Sequence, residues 1–307
     1  MDGFKMIVVG LDLDSKSENL TLGSQKALQE ALKVAEGGRA SIVFEHSVYD
    51  EEFSGDESER AREADERLLA LDRRALREAL NEATRAGILA LVSTSTDRPW
   101  LGLCRKAIAT EADLVIVGKR NESPDDGRLI GSVAVKLLRK CPTAVWAVKP
   151  EHDLNHRLVL CATDLGEVGD QALAAASWVA GCRAAELHAV HAWQLPFALQ
   201  MASSRMAEAE HEEALESIKR ASIEHINSSL SEHDPAAKVE IHTAKGSPAR
   251  IIQEAVTHLD PDLLVMGTIS RGGIAGLLIG STAERMLDRV DCSILAVKPA
   301  GFVSPVA

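Results

Sequence analysis

The residues best able to do chemistry stand late in the chain: Met266-Gly267, then Ser270 and Arg271, then Gly280-Ser281-Thr282. Glycines let backbone approach a ligand closely. Ser281 and Thr282 fall where a helix is expected to begin, so their hydroxyls add to the partial positive charge of its first amides. That combination favours a phosphate group. Two further segments are expected to end nearby. Ala162-Thr163-Asp164 closes one apolar run, and His191-Ala192 lies near the end of another. Asp164 would accept hydrogen bonds from ribose hydroxyls or sit near a base.

Catalytic signatures are missing. There is no Walker A lysine, no GxSxG elbow, no kinase set and no GxGxxG. No carboxylate and base stand at a defined spacing. A binding site without evident catalytic machinery is expected, with slow ATP hydrolysis by a bound water left open. His46 and His191 occupy equivalent strand ends and read as structural imidazoles bonded to backbone. His211, His225 and His233 show no HxxxH or HExxH spacing, so no metal site is expected. The apolar segment Trp193–Met201 reads first as interface packing, and second as the wall of a pocket for an acyl-type ligand.

The elements that must position these residues occur twice. Gly118 and Gly267, Gly131 and Gly280, and Pro150 and Pro299 are each 149 positions apart. A constant offset over so long a stretch marks a duplicated domain. Residues 1–150 form the first domain and 156–300 the second, joined by a short polar linker. In the second copy, short apolar runs at 157–164, 186–193, 239–243, 263–267 and 293–297 read as strands. Helical segments lie between them, at 169–179, about 203–230, after Gly246-Ser247-Pro248, and at 281–289. The first copy repeats this, with strands at 6–12, 41–48 and 88–93 and a charged helix at 60–85. Alternation of strand and helix predicts an α/β fold: two tandem parallel-sheet α/β sandwiches with helices on both faces. Ligands of such sheets bind beyond the carboxyl ends of the strands, where the three segments above converge.

Bulk composition narrows the function classes. The 307 residues carry 34 Lys and Arg against 46 Asp and Glu, a formal net charge of −12. So acidic a surface is a poor partner for nucleic acid or anionic membrane. No apolar run approaches the ~18 residues needed to span a bilayer. The N-terminus runs straight into a strand-like segment without a leader pattern. The five scattered cysteines form no CxxC. These features predict a reduced, cytoplasmic protein without disulfides.

The loop and its surroundings resemble universal stress proteins, whose ATP-binding members show G-x2-G-x9-G-[ST]. Gly267 and Gly280-Ser281 match in place and spacing, while Ser270 stands where the middle glycine is usual. The ATD of the first strand, the HA of the second, the Gly-x-Pro turn and the terminal strand extend the likeness over both halves, as in tandem members of the E type. The resemblance implies five-stranded domains of the adenine nucleotide alpha hydrolase-like type, a stress-survival role, and ATP or another adenine nucleotide, with or without Mg. Carried onto this chain, its contacts are Ala162, Thr163, Asp164, Ala192, Met266, Gly267, Ser270, Gly280, Ser281 and Thr282. Arg271 adds a positive charge in the same loop.

The first copy reads as a degenerate site. Asn121 replaces the middle glycine, Pro124 removes an amide donor, and Glu122, Asp125 and Asp126 place carboxylates where phosphate would lie. Lys119, Arg120 and Arg128 offset them in part. One nucleotide per chain is therefore expected, bound by a regulatory protein. A non-nucleotide interaction module and an ATP-using enzyme of the same fold remain the alternatives. Against the enzyme, CATDLGE stands where an SGGxDS-like loop would. The halves are expected to form an intrachain pseudo-dimer about a pseudo-twofold axis, with Ala144–Val148 near Ile294–Val297. Homodimerisation of the whole chain stays open.

Overall fold

The structure is a computed structural model that describes residues 2–14, 19–49, 73–119, 131–150, 156–194, 208–232, 238–268, 279–287 and 289–306. Ser270, Arg271, Asn121, Pro124, the neighbouring charges of 120–130, the linker at 151–155, and residues 195–201 of the apolar segment lie outside the described residues.

Elements of the first copy run β1 (Met6–Gly10), α1 (Leu22–Gly38), β2 (Ser41–Ser47), α2 (Arg73–Arg85), β3 (Ala90–Ser95), α3 (Pro99–Ala109), β4 (Leu114–Gly118), α4 (Ser132–Lys140) and β5 (Ala144–Val148). The second copy gives β6 (Leu158–Thr163), α5 (Glu167–Arg183), β7 (Glu186–Trp193), α6 (Glu208–Ser231), β8 (Val239–Lys245), α7 (Pro248–Leu259), β9 (Leu263–Gly267), α8 (Ser281–Leu287) and β10 (Ser293–Val297). The expected alternation is present in both copies. One boundary moves. The third strand begins at Ala90 and not Ile88, because the Ile88 amide still donates to the Ala83 carbonyl at 2.9 Å and Gly87 turns the helix end at φ +70°.

Two compact units form. One comprises residues 2–154 with 291–307, the other 155–290. In the first, the strand order is β3-β2-β1-β4-β5-β10. β1 to β5 are parallel, and β10 lies antiparallel to β5 with Leu295 opposite Trp146. The two terminal strands thus lie side by side, as expected from sequence. Side-chain bonds tie the last strand down. Lys149 N–H donates to Ser293 Oγ at 3.0 Å, and the buried Lys298 amine donates to the Leu138 carbonyl. In the second unit the order is β9-β6-β7-β8, all parallel.

Strands of Val, Ile and Leu suit sheets covered on both faces. Ile7, Leu114, Ile116 and Trp146 are fully buried in one unit, and Leu160, Leu173, Leu187 and Ile226 in the other. Close approach is set by glycine. A Cβ on Gly118 would lie 2.4 Å from Gly23 backbone, so β4 meets the first turn of α1 only without side chains. Helix starts follow their local chemistry. Thr21 Oγ1 accepts from the Ser24 amide at 3.2 Å, and Pro248 opens α7. The five cysteines are free thiols.

Candidate functional site

In the second unit the strand order reverses direction between β6 and β9, the place where open parallel sheets leave a crevice. Ala162 on β6 lies between Met266 of β9 and Val190 of β7, and Thr163 pairs with His191. Three carboxyl ends therefore meet. Beyond Thr163 the chain turns sharply, with Leu165 at φ +57°. Its amide donates to Thr163 Oγ1 at 3.0 Å, and the Gly166 amide donates to Asp164 Oδ1 at 3.1 Å. These bonds fix the strand end and present exposed Asp164 at the start of α5. Gly169 is required here. A Cβ would stand 2.5 Å from Thr163 Oγ1 and 2.7 Å from Asp164 Oδ1.

On the other side, the Gly280 amide donates to the Thr268 carbonyl at 2.6 Å, while its own carbonyl accepts from the Glu284 amide at 2.9 Å. Gly280 thus closes the loop and opens α8. Its N–H is spent on that closure, which leaves Ser281 and Thr282 to meet a ligand.

A cavity of about 170 Å³ lies between these segments. Ala162, Thr163, Asp164, Ala192, Met266, Gly267, Gly280, Ser281 and Thr282 all line it. Every sequence-predicted site residue that the structure describes is therefore in one place. Gly169, Val190, Pro248, Ile252, Thr268 and Ala283 line it too, and sequence reasoning passed over them. A period-2 signal would have found Val190, which shares a face with Ala192. Pro248 and Ile252 stand at i and i+4 on one side of α7.

His191 borders this site without reaching into it. Its buried ring lies with Nδ1 2.9 Å from the Thr163 carbonyl oxygen, which can only accept, so Nδ1 carries the proton. Burial holds its pKa below the usual 6.5, against the opposing pull of that bond and of Asp164. His46 makes the same bond to the Leu11 carbonyl at 2.9 Å. Both histidines are the structural imidazoles expected from sequence.

The first copy has its own cavity, of about 400 Å³. Its lining repeats the second site position for position: Asp12 for Asp164, Pro99 for Pro248, Leu103 for Ile252, Gly118 for Gly267, Gly131-Ser132 for Gly280-Ser281. Several substitutions change its chemistry, among them Leu11 for Thr163, Ser47 for Ala192 and Lys119 for Thr268. Val133 replaces the hydroxyl of Thr282, and Glu45 stands in place of Val190. Glu45 is 3% exposed and neither carboxylate oxygen has a hydrogen-bond partner among the described residues. Its nearest cation, Lys106 Nζ, is 3.8 Å away. The buried Lys119 amine, expected to offset the loop carboxylates in part, donates to the Cys292 carbonyl at 2.8 Å. Cys292 is far away in sequence, so local spacing gave no hint of it.

The model of the universal stress protein family matches residues 3–149 and again 155–298. This chain belongs to the universal stress protein family. It is a tandem member, and its relatives include Universal stress protein E of Salmonella typhi, 24% identical over 232 residues, 68% of this chain and 68% of that protein. A universal stress protein of Mycobacterium bovis is 29% identical over 198 residues, 62% of this chain and 63% of its own. Among solved structures, a universal stress protein from Archaeoglobus fulgidus covers 95% of this chain and 98% of its own at 19% identity, with a TM-score of 0.63. A Pseudomonas aeruginosa structure covers 97% of this chain and 94% of its own at 21% identity, with a TM-score of 0.68. At such identities the likeness is one of fold. No helix among the described residues is long and apolar enough to cross a membrane.

Proposed function

We propose that this universal stress protein is a cytoplasmic regulatory protein that binds one adenine nucleotide, ATP, ADP or AMP, in the cavity of its second copy. The observation that carries this reading is the convergence of Asp164, Gly267, Gly280, Ser281 and Thr282 on one cavity at the reversal of strand order. Asp164 suits ribose hydroxyls, and the apolar walls of Val190, Ile252 and Met266 suit a base. The phosphates are assigned to the stretch between Gly267 and Thr282. The protein would act by binding, with ATP hydrolysis slow at most. Calorimetry with ATP, ADP and AMP, with and without Mg²⁺, tests this. One site per chain is expected, and no binding of any of the three overturns it.

A second reading is favoured by the first copy. Its cavity falls in the range of about 300–1,000 Å³ usual for small-molecule sites, whereas the second cavity is smaller. A buried Glu45, held by one long ion pair to Lys106 and by no hydrogen bond among the described residues, repels phosphate and attracts hydrogen-bond donors. We infer that this cavity serves a largely apolar ligand with a donor group, not a nucleotide. Mass spectrometry of small molecules released from the purified protein tests it. A second nucleotide recovered per chain would overturn it.

A further inference from the structure

Strands β7 and β8 each carry the same short pattern, Glu186-Leu187-His188 and Glu240-Ile241-His242. The parallel register sets His188 opposite Glu240 and Val190 opposite His242. Side chains alternate along a strand, so Glu186, His188, Glu240 and His242 share one face. His188 is 5% exposed. Its Nδ1 lies 2.9 Å from His242 Nε2, with the rings stacked at 5.1 Å between centroids. Donor atoms of His188, Glu240 and His242 all lie within 4.8 Å of one another. On the far side of the ring, His188 Nε2 is buried, makes no hydrogen bond among the described residues, and faces Glu186 Oε2 at 3.6 Å.

A plain histidine pair explains only part of this. One ring donates to the other, which accounts for the 2.9 Å contact. It leaves unexplained why a carboxylate stands behind His188 and a second one beside His242. A metal ion between the rings accounts for all four groups. Ligating histidines commonly turn their other ring nitrogen to a carboxylate, which fixes the tautomer and raises ligand basicity. Glu186 occupies that position, and the buried Nε2 becomes the N–H directed at it.

We propose that His188 Nδ1, His242 Nε2 and the Glu240 carboxylate bind one divalent transition-metal ion of the zinc class, with Glu186 orienting His188 from behind. Two imidazoles and a carboxylate are a ligand set suited to Zn²⁺. Zinc–nitrogen bonds of about 2.0–2.1 Å place tetrahedral nitrogens roughly 3.3–3.4 Å apart, so the two rings separate by a few tenths of an ångström. Glu240, half-exposed and held by Lys238 Nζ at 2.8 Å, turns inward to complete the set. β8 is the edge strand, which leaves a fourth position toward solvent. The fold does not demand these residues. The corresponding first-copy positions on β2 and β3 hold Ser41, Val43, Leu91 and Ser93.

The test uses the tag-free full chain, stripped with chelator. Co²⁺ is titrated as a visible probe of tetrahedral coordination, followed by competition with Zn²⁺ and by zinc calorimetry. One equivalent per chain is expected. His242→Ala, a half-buried site that folding tolerates better than His188, should weaken zinc at least about tenfold. Glu186→Gln keeps all three ligands and should weaken it by about ten- to a hundredfold. Gly280→Asp should leave it unchanged, which separates this site from any Mg²⁺ carried by nucleotide. Circular dichroism establishes that each variant is folded. Absence of stoichiometric Co²⁺ or Zn²⁺ binding overturns the proposal, and so does zinc affinity that His242→Ala leaves intact.

Discussion

The His191 ring donates from Nδ1 to the Thr163 carbonyl oxygen at 2.9 Å. That bond joins the ends of two neighbouring strands just where the predicted nucleotide residues begin. His46 and Leu11 repeat it in the other copy. The duplicated histidine is therefore a brace for the strand ends, and at His191 burial works against charging the ring.

A pH dependence of stability follows. Burial depresses the His191 pKa, and burial together with His188 depresses that of His242. Below 6.5 the unfolded chain takes up protons that the folded chain resists. Stability from these groups is complete above that value and falls as pH drops through it. Melting at about pH 7.5 and about pH 5.5 should show a smaller acid loss in His191→Asn, which keeps a donor for Thr163. Equal losses in wild type and variant would refute the assignment.

Asymmetry between the copies can be read from two matched substitutions. Gly280→Asp puts a carboxylate at the edge of the second cavity and should abolish nucleotide binding. Gly131→Asp, its first-copy equivalent, should change nucleotide affinity less than twofold. Calorimetry on both variants decides, and the reverse pattern would move the site to the first copy.

Gly118 should tolerate no side chain. A Cβ on Gly118 would come within 2.4 Å of Gly23 backbone, and backbone cannot step aside as a side-chain end can. Gly118→Ala should lower unfolding stability by about 1–3 kcal/mol, the usual cost of overpacking. Urea denaturation measures it. No shift in midpoint would mean that α1 and β4 are less tightly packed than described.

Glu45 offers a test of opposite sign. It is buried, neither oxygen has a hydrogen-bond partner among the described residues, and its ion pair with Lys106 is long at 3.8 Å. Glu45→Val installs the residue found at the second copy's position 190. Stability should hold or rise by about 1 kcal/mol or more, since replacing a poorly paired buried charge by a hydrophobe is often favourable. A large loss of stability would show that the carboxylate has a partner within the fold.

Much of this protein is settled by local sequence. The 149-residue offset fixes the duplication, and the alternation of apolar runs with helical segments fixes the parallel α/β class. Strand ends such as Ala162-Thr163-Asp164 and Met266-Gly267 could be placed at the crevice because such sheets carry ligands at their carboxyl ends. These inferences depend on periodicity and on turn chemistry, which act over a few residues. Tertiary structure alone decided the rest. It turned the Lys119 amine to Cys292. It also put Glu45, an ordinary strand residue in sequence, against a cavity without a hydrogen-bond partner among the described residues. His188 and His242, 54 residues apart, meet only because β7 and β8 pair in one register. Register and facing are set by packing between distant segments, and a one-residue slip would send every side chain to the opposite face.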